Sequence, residues 1–194
     1  MKIVITGREK FGPSGCRGGL SLEDFRSWSG LLQVEELTSL DSFYNPSVEG
    51  IGEKSFEGGD FFGGLAKALS EFIEQEFAVG QPFNLLATVE EPKEEIKDKG
   101  PEEFEFLGYD VVNQQLGHSV LVHLGWLIAE AGTNVNAYGL LPDLATATQA
   151  VNDFKDHFPG METAEGVIVG IWRSVRSADS HVDVGDADAV LATK

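Results

Sequence analysis

The sequence has a single cysteine and no long apolar run, and these two scarcities limit the class of protein. Cys16 has no partner cysteine within the 194 residues, so an internal disulfide is excluded and a reducing compartment is indicated. No run of about 18 apolar residues occurs, which argues against a membrane-spanning helix. The N-terminus lacks the apolar stretch of a secretion signal. We therefore predict a cytoplasmic protein that does not interact with a membrane.

Basic residues are also scarce. The chain has 14 Lys and Arg against 32 Asp and Glu, and its formal net charge is −18. No Lys or Arg occurs between Lys99 and Lys155. Nucleic-acid binding depends on Lys and Arg side chains that neutralise phosphates. Direct binding to nucleic acid is therefore not expected.

Acidic residues are concentrated immediately before this interval and at its start. They form the candidate partner-binding surface, which consists of Glu90, Glu91, Glu94, Glu95, Asp98, Glu102 and Glu103. Such a run is commonly a solvated surface that keeps a protein soluble. It also suits the docking of a basic protein, because the negative field would accelerate the encounter. Both interpretations remain open from the sequence.

The opening stretch MKIVITGREKFGPSGCRGG resembles the start of a nucleotide-binding domain but lacks the required spacing. No three of its glycines fit G-x-G-x-x-G. Gly7 and Gly12 have the separation of a phosphate-binding loop, but Pro13 stands where the motif requires the Lys before Ser14. We predict a strand over residues 2–6 followed by a surface loop, with no cofactor.

Hydrophobic periodicity gives the coarse order of elements. Helical pieces are predicted within 22–44, with a break near Gly30, and over 65–77. A third helix begins after Asp143, its predicted N-cap, and ends at Pro159-Gly160. Strands are predicted by alternation or by apolar runs. They cover residues 83–90, 104–112, 118–126 and 167–175, and the second and third form a hairpin.

Because strands follow one another without regular alternation with helices, the sequence predicts an α+β fold. We expect a single domain over residues 1–178, with a largely antiparallel sheet and two or three packed helices. Residues 179–194 are rich in Asp and are expected to form an acidic, flexible tail.

Motifs that could carry catalysis are incomplete. Gly117-His118-Ser119 resembles a nucleophile elbow, but Leu121 stands where the closing glycine should be. A strand, not the helix that an elbow requires, is predicted after Ser119. His118 and His123 are five residues apart, which places them on opposite faces of a strand and far apart around a helix. The sequence thus assigns no catalytic residue and no metal ligand.

Residues 104–175 resemble small uncharacterised bacterial proteins of the immunity type, which bind secreted toxins. The similar pieces are FLGYD at 106–110, N-x-YGLL at 136–141, the helix that ends in FP at 158–159, and IWR at 171–173. The resemblance covers somewhat under half of the chain and implies inhibition of a toxin by direct binding, with no catalysis.

Three functional hypotheses follow. The first is an acidic immunity or inhibitor protein that neutralises a basic partner, such as a toxin enzyme, through protein–protein contact. The second is a hydrolase-type enzyme whose carboxylates and histidines converge only in the fold. The third is a phage-type mimic of nucleic acid, which presents carboxylates at phosphate-like spacing. The oligomeric state does not follow from the sequence.

Overall fold

A computed structural model describes residues 1–10, 21–41, 53–57, 83–115, 117–160 and 165–175. Several predicted features lie outside these residues. They are the helix over 65–77, most of the glycine-rich loop after the first strand, and the acidic tail from 179.

The centre of the fold is a six-stranded antiparallel sheet with the order β2-β1-β3-β6-β4-β5. Its strands are β1 (Lys2–Glu9), β2 (Glu53–Glu57), β3 (Phe83–Glu90), β4 (Phe104–Asn113), β5 (His118–Ser119) and β6 (Val167–Ser174). Helices pack against this sheet within one hydrophobic core. The predicted single-domain α+β fold with an antiparallel sheet is therefore confirmed.

The middle of the sheet is buried on both faces. In β3 every residue from Phe83 to Val89 is buried, although the alternation in its sequence predicts a single apolar face. Asn84 and Thr88 therefore lie inside the protein together with Leu85 and Ala87. Pairing with β1 and β6 covers the two edges of β3, whereas burial of its two faces requires side chains packed on both sides of the sheet.

The described part of the chain contains four α-helices: α1 (Leu22–Ser29), α2 (Val120–His123), α3 (Gly125–Glu130) and α4 (Leu144–His157). No helix among these residues is long and apolar enough to cross a membrane. Ser21 and Asp24 form a capping box at the start of α1, and Gly30 ends that helix in the left-handed conformation at φ 76°. The second helical piece predicted after Gly30 is wrong, since residues 31–41 form turns, bends and irregular chain.

Helix α4 agrees with its sequence pattern. The Asp143 side chain accepts a hydrogen bond from the Thr146 amide at 2.7 Å and caps the helix as predicted. The spacing of three and four residues places Val151 and Phe154 in the core, while Phe158 is half-buried and caps the C-terminus.

The predicted strand over 118–126 is wrong. Only His118 and Ser119 pair with β4, and the chain then turns into α2 and α3. Ser119 starts α2, because its Oγ accepts a hydrogen bond from the Val122 amide at 3.3 Å. Gly125 permits the close approach of α1, since a Cβ at this position would lie 2.7 Å from the Cβ of Ser29.

Candidate functional site

The candidate partner-binding residues belong to the segment that connects β3 to β4, here called the acidic segment (residues 90–105). Its centre is fixed to the sheet. Ile96 is only 2% exposed, and the Trp172 indole donates a hydrogen bond to the Lys97 carbonyl at 3.3 Å. Gly100 lies so close to Trp172 that a Cβ would come within 2.3 Å of the ring nitrogen. The backbone of the acidic segment is therefore held in one conformation.

Most carboxylates of the acidic segment point to solvent. All seven predicted residues are exposed: Glu90, Glu91, Glu94, Glu95, Asp98, Glu102 and Glu103. Lys99 Nζ lies 2.7 Å from Glu94 and Lys93 Nζ lies 3.8 Å from Glu91. The hydrogen bond and charge of Lys99 lower the pKa of Glu94. Two of the carboxylates are thus partly compensated by lysines.

Two glutamates at the ends of the acidic segment adopt an unusual backbone conformation. Glu91 has φ 44° and Glu103 has φ 62°, and they are the non-glycine residues with positive φ in the described part of the chain. Backbone hydrogen bonds hold both positions: the Glu91 amide donates to the Ile168 carbonyl at 2.8 Å, and the Val175 amide donates to the Glu103 carbonyl at 2.9 Å. Glycine would adopt this conformation without strain. The chain instead presents a carboxylate at each site.

Glu95 differs from its neighbours because the fold itself uses its carboxylate. It accepts hydrogen bonds from the Tyr109 hydroxyl and, at 3.1 Å, from the Leu144 amide at the start of α4. Although partial burial acts to raise the pKa of Glu95, these hydrogen bonds outweigh it and lower the pKa. Burial, together with the bond to Glu95, raises the pKa of Tyr109. Glu95 therefore joins the acidic segment to β4 and α4.

A cavity of about 710 Å³ opens beside the start of the acidic segment. Val4, Val89 and Ile96 contribute apolar surface to it, Glu90, Glu91 and Glu94 contribute carboxylates, and Lys2 and Lys93 contribute ammonium groups. The cavity is therefore of mixed charge and does not by itself select a basic side chain.

A second group of polar residues lies where β5 meets α2, which follow β4 in the sequence. The buried polar cluster consists of Asp41, Asp110, Ser119 and His123. Asp41 Oδ2 lies 2.7 Å from His123 Nε2 and accepts a hydrogen bond from the Ser119 amide at 3.0 Å. The Ser119 hydroxyl donates to Asp110 Oδ1 at 2.7 Å. Both carboxylates and Ser119 are fully buried.

The two carboxylates of the cluster affect each other. Burial raises the pKa of Asp110 to about 7, and the negative charge of Asp41 adds to the rise. Hydrogen bonds from Ser119 and from the Leu40 and Val111 amides act in the opposite direction. Near neutral pH, Asp110 therefore exists in both protonated and ionised forms.

The buried polar cluster corrects two expectations. His118 and His123 do not lie apart, since their rings stack with centroids 4.5 Å apart. A helix, not a strand, follows Ser119, as in a nucleophile elbow. However, the Ser119 hydroxyl is buried and directed at Asp110 instead of at a histidine, so this geometry does not activate it as a nucleophile. No group of three or more metal-ligating side chains occurs among the described residues.

The motifs that carry the resemblance meet one another in the fold. Tyr109 and Leu141 exchange backbone hydrogen bonds at 2.8 and 2.9 Å. Asn136 donates from its amide nitrogen to the Leu107 carbonyl and accepts from the Tyr138 and Leu140 amides. These hydrogen bonds join the FLGYD and N-x-YGLL segments to each other.

Arg173 of the IWR motif is buried and lies in a network of its own. Its guanidinium binds Glu36 at 2.5 Å and Glu105 at 2.6 Å, and it lies 5.1 Å from the centre of the Tyr138 ring. Burial acts to lower the pKa of Arg173, but the bonds to the two glutamates raise it overall. The guanidinium thus connects β6, β4 and the chain after α1.

Comparison with known proteins gives no relative: no protein-family model, curated protein or solved structure matches this chain.

Proposed function

We propose that this protein is a binding protein of the immunity type, which neutralises a basic toxin enzyme by direct contact through the acidic segment. The observation that carries the proposal is the placement of Glu91 and Glu103 in the left-handed backbone conformation. Strain of this kind persists where surrounding structure enforces it and is concentrated at functional sites. Glycine at both positions would adopt the same backbone conformation without strain but would lack the carboxylates. The carboxylates therefore have a role that offsets the strain.

The fixed backbone strengthens this proposal. A binding loop that is already ordered loses little conformational entropy when a partner docks. The anchors at Ile96 and Trp172 hold the backbone of the acidic segment against the sheet, so the positions from which its exposed side chains project are set by the fold. An ordered set of like charges also steers an oppositely charged partner and raises the association rate.

The test is the association rate of the partner captured from the source cells. Because screening limits the field to about 8 Å at physiological ionic strength, the association rate should fall as salt rises. Changing Glu90→Lys together with Glu102→Lys should lower the association rate more than it changes the dissociation rate. The matched control is Asp156→Lys with Glu165→Lys, an equal charge change at exposed residues outside the acidic segment.

If both double variants slow association equally, only the overall charge matters and the acidic segment is not the docking surface. A captured partner that is acidic, or an association rate that does not depend on salt, would also contradict the proposal.

The buried polar cluster supports a second candidate, an enzyme that uses acid–base chemistry. Asp41 orients the imidazole of His123, which is partly exposed, as a carboxylate does for a general base. The arrangement needs a substrate site next to His123. Hydrolysis of a panel of ester and phosphodiester substrates that is lost in His123→Gln but kept in His157→Gln, an exposed histidine on α4, would favour this candidate.

A further inference from the structure

Two helices that are distant in sequence cross at a point of very close packing. Gly125 at the start of α3 faces Ser29 at the end of α1, and Gly30 has Ala129 of α3 at 3.8 Å from the position of a Cβ. The residues next to these contacts are Trp28 on α1 and Trp126 on α3. The crossing thus places two tryptophans on neighbouring helices.

Both tryptophans are partly exposed to solvent. Trp28 is 39% exposed, Trp126 is 43% exposed, and Leu32, just after α1, is 74% exposed. We call these three residues the tryptophan patch. Phe25 is buried beneath Trp28, with the ring centroids 5.8 Å apart in an edge-to-face arrangement, and fixes the position of that indole. The other exposed large apolar residues in the described part of the chain are Met1 and Val175.

The surroundings of the tryptophan patch are acidic. Exposed carboxylates stand at Glu23 and Asp24 in the first turn of α1, at Glu35 after Leu32, and at Glu130 at the end of α3. The basic residue of α1, Arg26, is directed into the protein, where its Nε donates a hydrogen bond to the Val34 carbonyl at 2.5 Å. A partner that covers the patch therefore meets an apolar centre with a negative rim.

We infer that the tryptophan patch is a docking surface for a protein that presents apolar side chains bordered by Lys and Arg, and that Trp28 and Trp126 supply most of its binding energy. Tryptophan is enriched among the residues that dominate protein interfaces, and such residues lie at the centre with a polar rim around them. The charge of the rim excludes an acidic partner and disfavours a second copy of this chain, because equal negative rims would face each other. The inference rests in part on the proposed function, since both require a basic partner.

The probe is a synthetic amphipathic helical peptide of leucine and lysine, and the same peptide with glutamate in place of lysine is the charge control. Binding to the full chain is measured by titration calorimetry and by acrylamide quenching of tryptophan fluorescence. Quenching reports on the patch because Trp172, the third tryptophan, is 1% exposed. The lysine peptide should bind and protect Trp28 and Trp126 from acrylamide, whereas the glutamate peptide should not bind.

Trp126→Ser and Leu32→Ser should each weaken binding of the lysine peptide at least tenfold. Val175→Ser, an exposed apolar residue outside the tryptophan patch, should leave it unchanged. Equal urea midpoints of unfolding would establish that the variants are folded, and protection of the wild-type tryptophans gives a second readout that needs no variant.

Binding that is unaffected by Trp126→Ser and Leu32→Ser, or no binding at all, would overturn the inference. Binding that is lost in Glu90→Lys with Glu102→Lys but kept in the tryptophan variants would reject the patch and retain the acidic segment. Binding that is kept in Glu90→Lys with Glu102→Lys but lost in Trp126→Ser and Leu32→Ser would retain the patch and reject the proposed function of the acidic segment. A dimer in sedimentation that Trp126→Ser dissociates would show that a second copy covers the patch, which also overturns the inference.

Discussion

Replacement of Asp110 by asparagine should change how the stability of the protein depends on pH. Burial raises the pKa of Asp110 to about 7 in the folded protein, and the charge of Asp41 contributes to this rise. In the unfolded chain the pKa of an aspartate is about 3.9. Between these two values, the folded protein holds a proton on Asp110 that the unfolded chain has released.

The direction of the effect follows from this difference. Stability falls with rising pH wherever the folded state binds more protons, so the contribution of Asp110 is complete below about pH 4 and is lost as the pH rises to about 7. The free energy of unfolding falls by at most about 1.4 kcal/mol per pH unit, because this is the free energy that corresponds to a tenfold change in proton affinity. Over pH 5 to 7 the loss is about 2–3 kcal/mol. Because an amide side chain does not ionise in this range, the Asp110→Asn variant should lack this loss.

The measurement is urea unfolding of wild type and Asp110→Asn at intervals from pH 5 to 8, above the isoelectric point of about 4.4. The free energy of unfolding of the variant, minus that of the wild type, should increase by about 2–3 kcal/mol from pH 5 to 7 and then level off. In the Asp41→Asn variant the free energy of unfolding should fall at lower pH, because the negative charge that helps to raise the pKa of Asp110 is absent. A difference that stays constant with pH would show that Asp110 is ionised in the native state.

Three further predictions concern stability and binding. Phe154→Ala should lower the free energy of unfolding by about 3–5 kcal/mol, because the ring is buried in the core; a wild-type urea midpoint would show that the helix is packed differently. Asp143→Ala should cost about 1 kcal/mol through loss of the cap on α4, measured in the same way, with Asp143→Asn as the variant that retains most of it. Glu91→Gly and Glu103→Gly should each stabilise the fold by about 0.5–1 kcal/mol, because relief of left-handed strain exceeds the entropic cost of glycine. Both variants should nevertheless associate more slowly with the partner, because a carboxylate is lost. A fall in the free energy of unfolding would refute the strain argument.

The sequence was sufficient where the decisive interactions are local. The 3-4-3-4 spacing and the cap at Asp143 specify α4, and Gly30 specifies the end of α1, because caps and helix periodicity involve residues at most four positions apart. The strands over 83–90, 104–113 and 167–174 follow in the same way from short apolar runs. Their alternation pattern does not show that β3 is buried on both faces, since this depends on what packs on each side of the sheet.

Residues 118–126 show the limit of local reasoning. Their apolar, β-branched composition suits a strand, but Asp41, which is 78 positions before Ser119, accepts the Ser119 amide hydrogen bond, and Ser119 then caps α2. The same long-range contact brings His123 against Asp41 and stacks it on His118. No spacing in the sequence predicts these neighbours.

The candidate sites also combine features that the sequence shows with features that only the fold shows. Composition alone identified the acidic segment, because an excess of carboxylates over lysines is visible without a fold. Only the tertiary structure separates Glu95, which holds Tyr109 and α4, from the glutamates that point to solvent, and only it places Glu91 and Glu103 in the left-handed conformation. Charge is a property of the residues, whereas burial, backbone strain and the pKa of Asp110 arise from neighbours that are brought together when the chain folds.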